Sequence, residues 1–203
     1  MDTQNLPVNW FDFAVLVVLL VGMARGRKNG LSQELLILFR WVCIIFAAGF
    51  AYKPVGEFMS QNTVFSQLFC YITSYIVIAA LVAITFSLVK RALGGKLIGS
   101  DVFGSAEYYV GMPAGMIRFA CIVIFVISLL GARYYSPQEL QAKARYDADV
   151  YGKSYWPTLS SVQVEVFQKS FLGPHLREYL DFLLITPTAP VQKEIQRKQF
   201  ETY

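Results

Sequence analysis

The chain has 203 residues, of which 55% are hydrophobic and 16% are charged, with a mean hydropathy of +0.44. Because a soluble domain carries about 25% charged residues, this composition argues against an ordinary soluble enzyme, and the rich apolar content excludes a disordered chain. The net charge of +4 does not indicate nucleic-acid binding, since the basic residues stand at the ends of apolar runs or alternate with acids.

Four apolar runs, taken in chain order, predict four transmembrane helices. The first is expected to be retained, because it lacks the basic start and the small-residue cleavage site of a signal peptide. Pro54 and Gly56 mark the predicted end of the second run. The third contains 26 residues without a charge, more than the roughly 20 that cross a bilayer. The predicted spans are residues 6–24, 31–52, 64–89 and 108–132.

The last third of the chain, residues 133–203, has a different composition. It contains nine Lys or Arg and eight Asp or Glu residues, so we expect it to face water. Apolar residues at helical spacing over 176–184 predict an amphipathic helix that ends before Pro187 and Pro190. This helix either packs on the protein's own helices or lies along the membrane surface. The predicted fold is an all-α membrane protein, with a four-helix transmembrane domain (residues 1–132) and a polar C-terminal tail containing amphipathic helices.

Basic residues in the short connections determine the predicted orientation. The connection between the second and third spans contains Lys53 alone, whereas the other two connections contain three basic residues each. The positive-inside rule places both basic connections in the cytoplasm, so the N-terminus and the tail are expected outside it. The nine basic residues of the tail count for little, because long segments translocate largely regardless of charge. The six topology residues are Arg25, Arg27, Lys28, Lys90, Arg91 and Lys96.

Four charged residues lie inside the apolar runs: Asp12, Glu34, Arg40 and Arg118. A charge at the bilayer centre costs about 2.5–3.5 kcal/mol, so each requires a partner, water or the interface. Asp12 is close to the outer face. Glu34 and Arg118 enter from the inner face at comparable depth, which predicts an ion pair. Arg40 is about 9 Å deeper than Glu34. These charges either fix the register of the helices or line a proton or ion pathway.

Glycines recur at four-residue spacing in two places. Small residues at this spacing allow two membrane helices to approach closely. The predicted contact joins either the first and fourth spans of one chain or two copies in an oligomer. The residues are Gly22, Gly26, Gly30, Gly111 and Gly115.

The sequence contains no constellation typical of catalysis or of metal binding. Cys43, Cys70 and Cys121 lie within apolar runs and are predicted to be small buried hydrophobes, while His175 is the single histidine. We therefore predict no catalytic residue, metal ligand or cofactor. The expected partners are the lipid bilayer and either a second copy of the chain or another membrane protein, and not nucleic acid.

Several short motifs, in order and spacing, resemble the bacterial colicin V production protein (CvpA) family. The resemblance covers residues 9 to about 185. Glu107 and Phe119 depart from it, because the family tends to have aspartate and glycine at these positions. The motifs are residues 9–12 (NWFD), residues 22–36 (GMARGRKNGLSQELL), Trp41, residues 111–118 (GMPAGMIR), Ser170 and Pro174.

This resemblance implies a multi-pass protein of the bacterial inner membrane, associated with colicin V production or export and with envelope homeostasis. The family's membrane domain also occurs fused to an extracytoplasmic serine protease, which a tail with one histidine cannot form. The first functional hypothesis is therefore an accessory that acts without catalysis. The alternative is a small oligomeric transporter or channel whose polar path is lined by Glu34, Arg40 and Arg118. An enzyme at the bilayer surface ranks third.

Overall fold

A computed structural model describes residues 8–93, 106–151 and 158–188, and this part of the chain is predominantly helical. A π-helical turn, Glu165–Lys169, directly continues the fifth helix. The single β-type pairing within the described ranges joins Arg133 to Thr188. The all-α prediction is thus confirmed. The helices are α1 (Trp10–Asn62), α2 (Gln67–Leu93), α3 (Ala106–Gly131), α4 (Pro137–Tyr151), α5 (Leu159–Val164) and α6 (Leu172–Leu180).

The first three helices are each long and apolar enough to cross a membrane. Many of their large apolar side chains are exposed, among them Phe13, Phe39, Phe50 and Leu81. Exposed apolar surface of this extent is unusual on a soluble protein, but it is what lipid-facing helices present. The chain is therefore a membrane protein.

Helix α1 has 53 residues, which would extend roughly 80 Å if it were straight. It is interrupted at Gly30, whose φ of 76° and ψ of 166° lie in a region that is essentially restricted to glycine. Before Gly30, α1 runs opposite to α3, because Gly22 lies against Gly115 and Gly26 against Gly111. After it, α1 follows the direction of α3, because Glu34 meets Arg118 and Trp41 meets Phe125. The chain therefore reverses direction at Gly30.

This reversal changes how the predicted spans are counted. Residues 10–24 of the first predicted span and all of the second, 31–52, belong to the single interrupted helix α1, and the described residues contain three long apolar helices rather than four. The spans predicted over 64–89 and 108–132 correspond closely to α2 and α3. Four crossings of the bilayer remain a prediction.

The second half of α1 extends ten residues beyond its predicted end at residue 52. Pro54 lies inside the helix, and Thr63 follows its last residue, Asn62. Gly56 does not end the helix, because it serves a contact: a Cβ atom there would overlap the ring of Tyr71 on α2. Proline and glycine were therefore wrong stop signals here.

The polar tail covers one end of the long helices. At this end Gly49 packs against Leu183, Gly131 packs against the ring of Phe167, and the backbone N–H of Ile185 donates to Ser128 Oγ at 3.1 Å. The hydroxyl of Tyr52 accepts from the backbone N–H of Thr186 at 3.0 Å. The start of α1 reaches the same end, where the indole N–H of Trp10 donates to the carboxylate of Glu165.

The predicted amphipathic helix packs on the protein's own helices through its last residues. Leu183 and Leu184 are buried, and Leu183 joins a core cluster with Ile45 of α1 and Cys121 of α3. Tyr179 and Phe182 remain exposed. Helix α6 ends at Leu180, four residues before the predicted end, and the chain continues in a tighter turn, in which the backbone N–H of Leu183 donates to the carbonyl of Leu180 at 2.8 Å.

Candidate functional site

A buried ion pair joins Glu34 of α1 to Arg118 of α3. A carboxylate oxygen of Glu34 accepts from Nη1 of Arg118 at 2.5 Å. Glu34 has no solvent exposure, and Arg118 is 7% exposed. Pairing removes the net charge from an apolar surrounding in which either ion alone would be strongly unfavourable. The two charges that the sequence analysis paired are thus in contact.

A cluster of polar side chains next to this ion pair surrounds the reversal at Gly30. Nδ2 of Asn29 donates to the other carboxylate oxygen of Glu34 at 2.7 Å. Glu107, in the first turn of α3, accepts from the backbone N–H of Ser32 at 3.0 Å. Its second oxygen, Oε2, is buried and has no hydrogen-bond partner among the described residues. Glu107 therefore holds the chain just after the reversal through one of its two carboxylate oxygens.

A glycine seam brings the first half of α1 directly against α3. The seam consists of the five glycines that the sequence analysis singled out. A Cβ atom on Gly26 would overlap the carbonyl oxygen of Gly111, and one on Gly115 would overlap that of Gly22. A Cβ atom on Gly30 would lie 3.1 Å from the Glu107 side chain. The sequence left open whether these glycines join helices of one chain or of two copies. In the structure they join α1 and α3 of the same chain.

Phe119, the position at which the family tends to have glycine, also belongs to this contact. Its Cβ and ring would lie 2.9 Å from a Cβ atom on Gly22, so the close approach persists with the ring packed on that glycine. The guanidinium carbon of Arg118 lies 4.7 Å from the ring centroid of Phe119. This cation–π contact gives the buried arginine a second favourable neighbour.

Arg40 lies apart from the ion pair. It borders an open groove between α1 and α2, together with Phe86, Ser87 and Lys90, and this groove is not lined by Glu34 or Arg118. The guanidinium carbon is 6.0 Å from the ring centroid of Trp41. Its buried Nε atom has no hydrogen-bond partner in the described part of the chain. The structure therefore does not join the three inner charges along one groove.

Asp12 has a structural position at the tail end of the molecule. Its carboxylate accepts from the backbone N–H of Asn9 at 2.9 Å, which completes a capping box at the start of α1. It also accepts from the backbone N–H groups of Phe171 and Leu172, at 3.0 and 2.9 Å, where α6 begins. One carboxylate thus caps two helices that are about 160 residues apart in the sequence.

The serine of the C-terminal motif stabilises the same junction. Ser170 Oγ donates to the carbonyl of Val166 at 2.5 Å and accepts from the backbone N–H of Gly173 at 2.9 Å. A Cβ atom on Gly173 would overlap the Val166 carbonyl. The first and last motifs that carry the family resemblance therefore meet in space.

The topology residues that the structure describes gather at the opposite end, around the reversal at Gly30 and the end of α2. All five of them are exposed. Lys96 lies outside the described residues. The guanidinium carbon of Arg27 lies 5.9 Å from the ring centroid of Tyr109, at the start of α3. The five are Arg25, Arg27, Lys28, Lys90 and Arg91.

Asn29, Glu107 and Asn9 are site residues without a role predicted from the sequence. An available signal for Asn9 was its spacing from Asp12, since Asn-x-x-Asp before an apolar run is a variant of the capping box. Glu107 was marked by its position, an acid at the start of an apolar run. Nothing local indicated that Asn29 would bind Glu34. Within the described residues, no group of three or more His, Cys, Asp or Glu side chains is placed to hold a metal ion.

Comparison with known proteins gives one match. The family model described as colicin V production protein matches residues 11–177, which include α1, α2, α3 and most of α6. No curated protein matches the chain, and no solved structure does.

Proposed function

The chain belongs to the colicin V production protein family, and we propose that it is an inner-membrane accessory of toxin export or envelope maintenance that acts without catalysis. Family membership and the three long apolar helices establish a membrane-associated colicin production protein. Beyond this, we propose that the membrane is the inner membrane and that the chain acts there as an accessory.

The observation that carries the accessory role is the Glu34–Arg118 pair. A residue that conducts ions or protons must exchange with water at some stage, whereas Glu34 is fully enclosed and is satisfied by both Arg118 and Asn29. Arg118 in turn packs on Phe119. This arrangement favours a fixed scaffold, whose function depends on the surfaces that it offers to other components.

We further propose that the chain crosses the bilayer four times, with the N-terminus and the tail outside the cytoplasm. The reversal at Gly30 supports two crossings within α1, because the two halves run in opposite directions along α3. The five described topology residues lie at one end and the described part of the tail at the other, which agrees with the positive-inside rule. A C-terminal reporter that is active only in the cytoplasm should be silent, and activity would contradict this orientation.

The alternative is a small oligomeric transporter or channel. Two observations favour it: among the described residues, neither the buried Nε atom of Arg40, beside an open groove, nor the buried Oε2 atom of Glu107 has a hydrogen-bond partner. Unpaired polar atoms of this kind are what a permeating ion or proton would use. Because the glycine seam is occupied within the chain, an oligomer would have to form through other surfaces.

Ion flux from purified protein in liposomes separates the two functions. The accessory role predicts flux no greater than that of empty liposomes. A flux that Arg40→Leu abolishes and Arg27→Gln retains would establish the transporter instead. In cells that lack the chain, wild-type protein should restore colicin V secretion, and equal restoration by an empty vector would contradict a role in export.

A further inference from the structure

We propose that the basic end of the molecule carries a binding site for the headgroup of an anionic phospholipid. The site is a cleft between the first half of α1 and the start of α3, on the surface beside the glycine seam. It is open to the outside and is distinct from the buried ion pair. Its lining residues, the headgroup cleft, are Ala24, Arg27, Lys28, Tyr108 and Tyr109.

The chemistry of the cleft is that of a phosphodiester site. Arg27 provides a planar guanidinium that can donate two parallel hydrogen bonds to phosphate oxygens, and Lys28 adds a second positive charge. Among the described residues, no acidic side chain lines the cleft. The two tyrosines line the cleft together with the cations, and tyrosine is one of the two residue types that membrane proteins concentrate at the headgroup level.

The walls are held in place by the fold. The seam glycines allow α1 and α3 to approach at the distance of backbone contact, so residues on adjacent turns of both helices can face a single cleft. The Arg27 guanidinium already lies against the Tyr109 ring, with 5.9 Å between the guanidinium carbon and the ring centroid. This contact orients the cation before any ligand binds, which reduces the entropy lost on binding.

Below the cleft, an apolar stripe continues along both helices. On α1, exposed Leu20 and Val17 precede Ala24 at helical spacing, and on α3 exposed Pro113 and Ile117 follow Tyr109 at intervals of four residues. A phosphate bound by the cations would therefore have its acyl chains beside an uncharged surface. A soluble phosphorylated ligand would have no use for this stripe, whereas a phospholipid matches both parts of the surface.

The inference rests on the proposed position of the basic end at the membrane surface, but not on the proposed role in export. Basic pockets between transmembrane helices on the cytoplasmic side are a known form of anionic-lipid site. The structure adds the particular cleft and its residues. Lipid binding in detergent is independent of orientation and of colicin secretion, so the two proposals fail separately.

The test measures phosphatidylglycerol binding to the purified full chain in detergent by native mass spectrometry, with phosphatidylcholine as the neutral lipid. We expect the double variant Arg27→Gln/Lys28→Gln to bind phosphatidylglycerol roughly 25-fold more weakly, at about fivefold for each cation. The control Arg25→Gln/Arg91→Gln removes the same charge from the same end but leaves the cleft intact. It should retain most of the affinity.

A second pair of variants tests the aromatic wall. Tyr109→Leu keeps an apolar side chain but removes the ring and hydroxyl, and should weaken phosphatidylglycerol binding severalfold. Tyr179→Leu, an exposed position at the tail end, should not. Because all these side chains are exposed, thermal unfolding without lipid should be unchanged. Equal losses in the cleft and control variants, or binding of phosphatidylcholine as tight as that of phosphatidylglycerol, would overturn the proposal.

Discussion

Glu34 and Arg118 are 84 positions apart in the sequence, yet their side chains form a buried ion pair at 2.5 Å. The contact exists because the chain reverses at Gly30, which turns the second half of α1 to run alongside α3. The same reversal places the glycine seam on the opposite half of α1. The interrupted helix α1 thus contacts α3 in two ways: its first half packs backbone against backbone, and its second half forms the Glu34–Arg118 ion pair.

The ion pair should be essential for stability. Glu34→Gln leaves the Arg118 guanidinium buried without a counter-charge, which should lower the free energy of unfolding by about 3–5 kcal/mol. Denaturation of the purified protein in detergent, followed by circular dichroism, measures this change. Asp181→Asn, at an exposed position, is the matched control and should have little effect.

Exchanging the two charges tests whether the effect belongs to the pair. Glu34→Arg and Arg118→Glu should each destabilise the protein strongly, and the double variant should recover part of the loss, because opposite charges again face each other. If each single reversal were harmless, the pair would not contribute to the stability of the fold.

The glycine seam should tolerate no added side chain. Gly26→Ala introduces a Cβ atom into the space of the Gly111 carbonyl oxygen, and the two helices must separate. We expect a loss of about 1–3 kcal/mol in the free energy of unfolding. Ser87→Thr adds one methyl group at an exposed position of α2 and should be close to neutral. Equal stability of the two variants would show that the seam is not tightly packed.

Gly30 should be irreplaceable for a different reason. Its φ of 76° is unfavourable for any residue with a Cβ atom, so Gly30→Ala should cost about 1–3 kcal/mol from backbone strain. The contrast is Gly131→Ala at the end of α3, where φ is ordinary and the added atom meets only the tip of the Phe167 ring. Thermal unfolding in detergent should show a larger loss for Gly30→Ala, and the opposite order would argue against the reversal.

Asp12 should attach the tail to the membrane helices. Asp12→Ala removes the acceptor of backbone N–H groups at the starts of α1 and α6, and we expect a loss of about 1 kcal/mol for each cap. Hydrogen exchange at Phe171 and Leu172 should accelerate because their amides lose their acceptor. Glu178→Gln on α6 keeps this cap and should not alter exchange there. Unchanged exchange in Asp12→Ala would refute the capping role.

That the chain is an all-α membrane protein could be predicted from the sequence, because this depends on the length of apolar runs and the spacing of residues along them. Run length compared with bilayer thickness predicted the long apolar helices, and four-residue spacing identified every glycine of the seam. Comparable depth was enough to pair Glu34 with Arg118. Each of these inferences needs only the rise of a helix and the thickness of the membrane.

Other features were decided by contacts between distant parts of the chain. Pro54 and Gly56 did not end α1, because packing against Tyr71 outweighs local helix-breaking tendency. Whether the seam joined helices of one chain or of two depended on the reversal at Gly30. The position of Asp12 near the outer face left open whether a partner, water or the interface would satisfy it, and backbone amides about 160 residues away are its partners. The sequence by itself determined which segments are long and apolar enough to cross a membrane, whereas the tertiary structure decided which residues meet, because a helix face has no partner until the chain folds back on it.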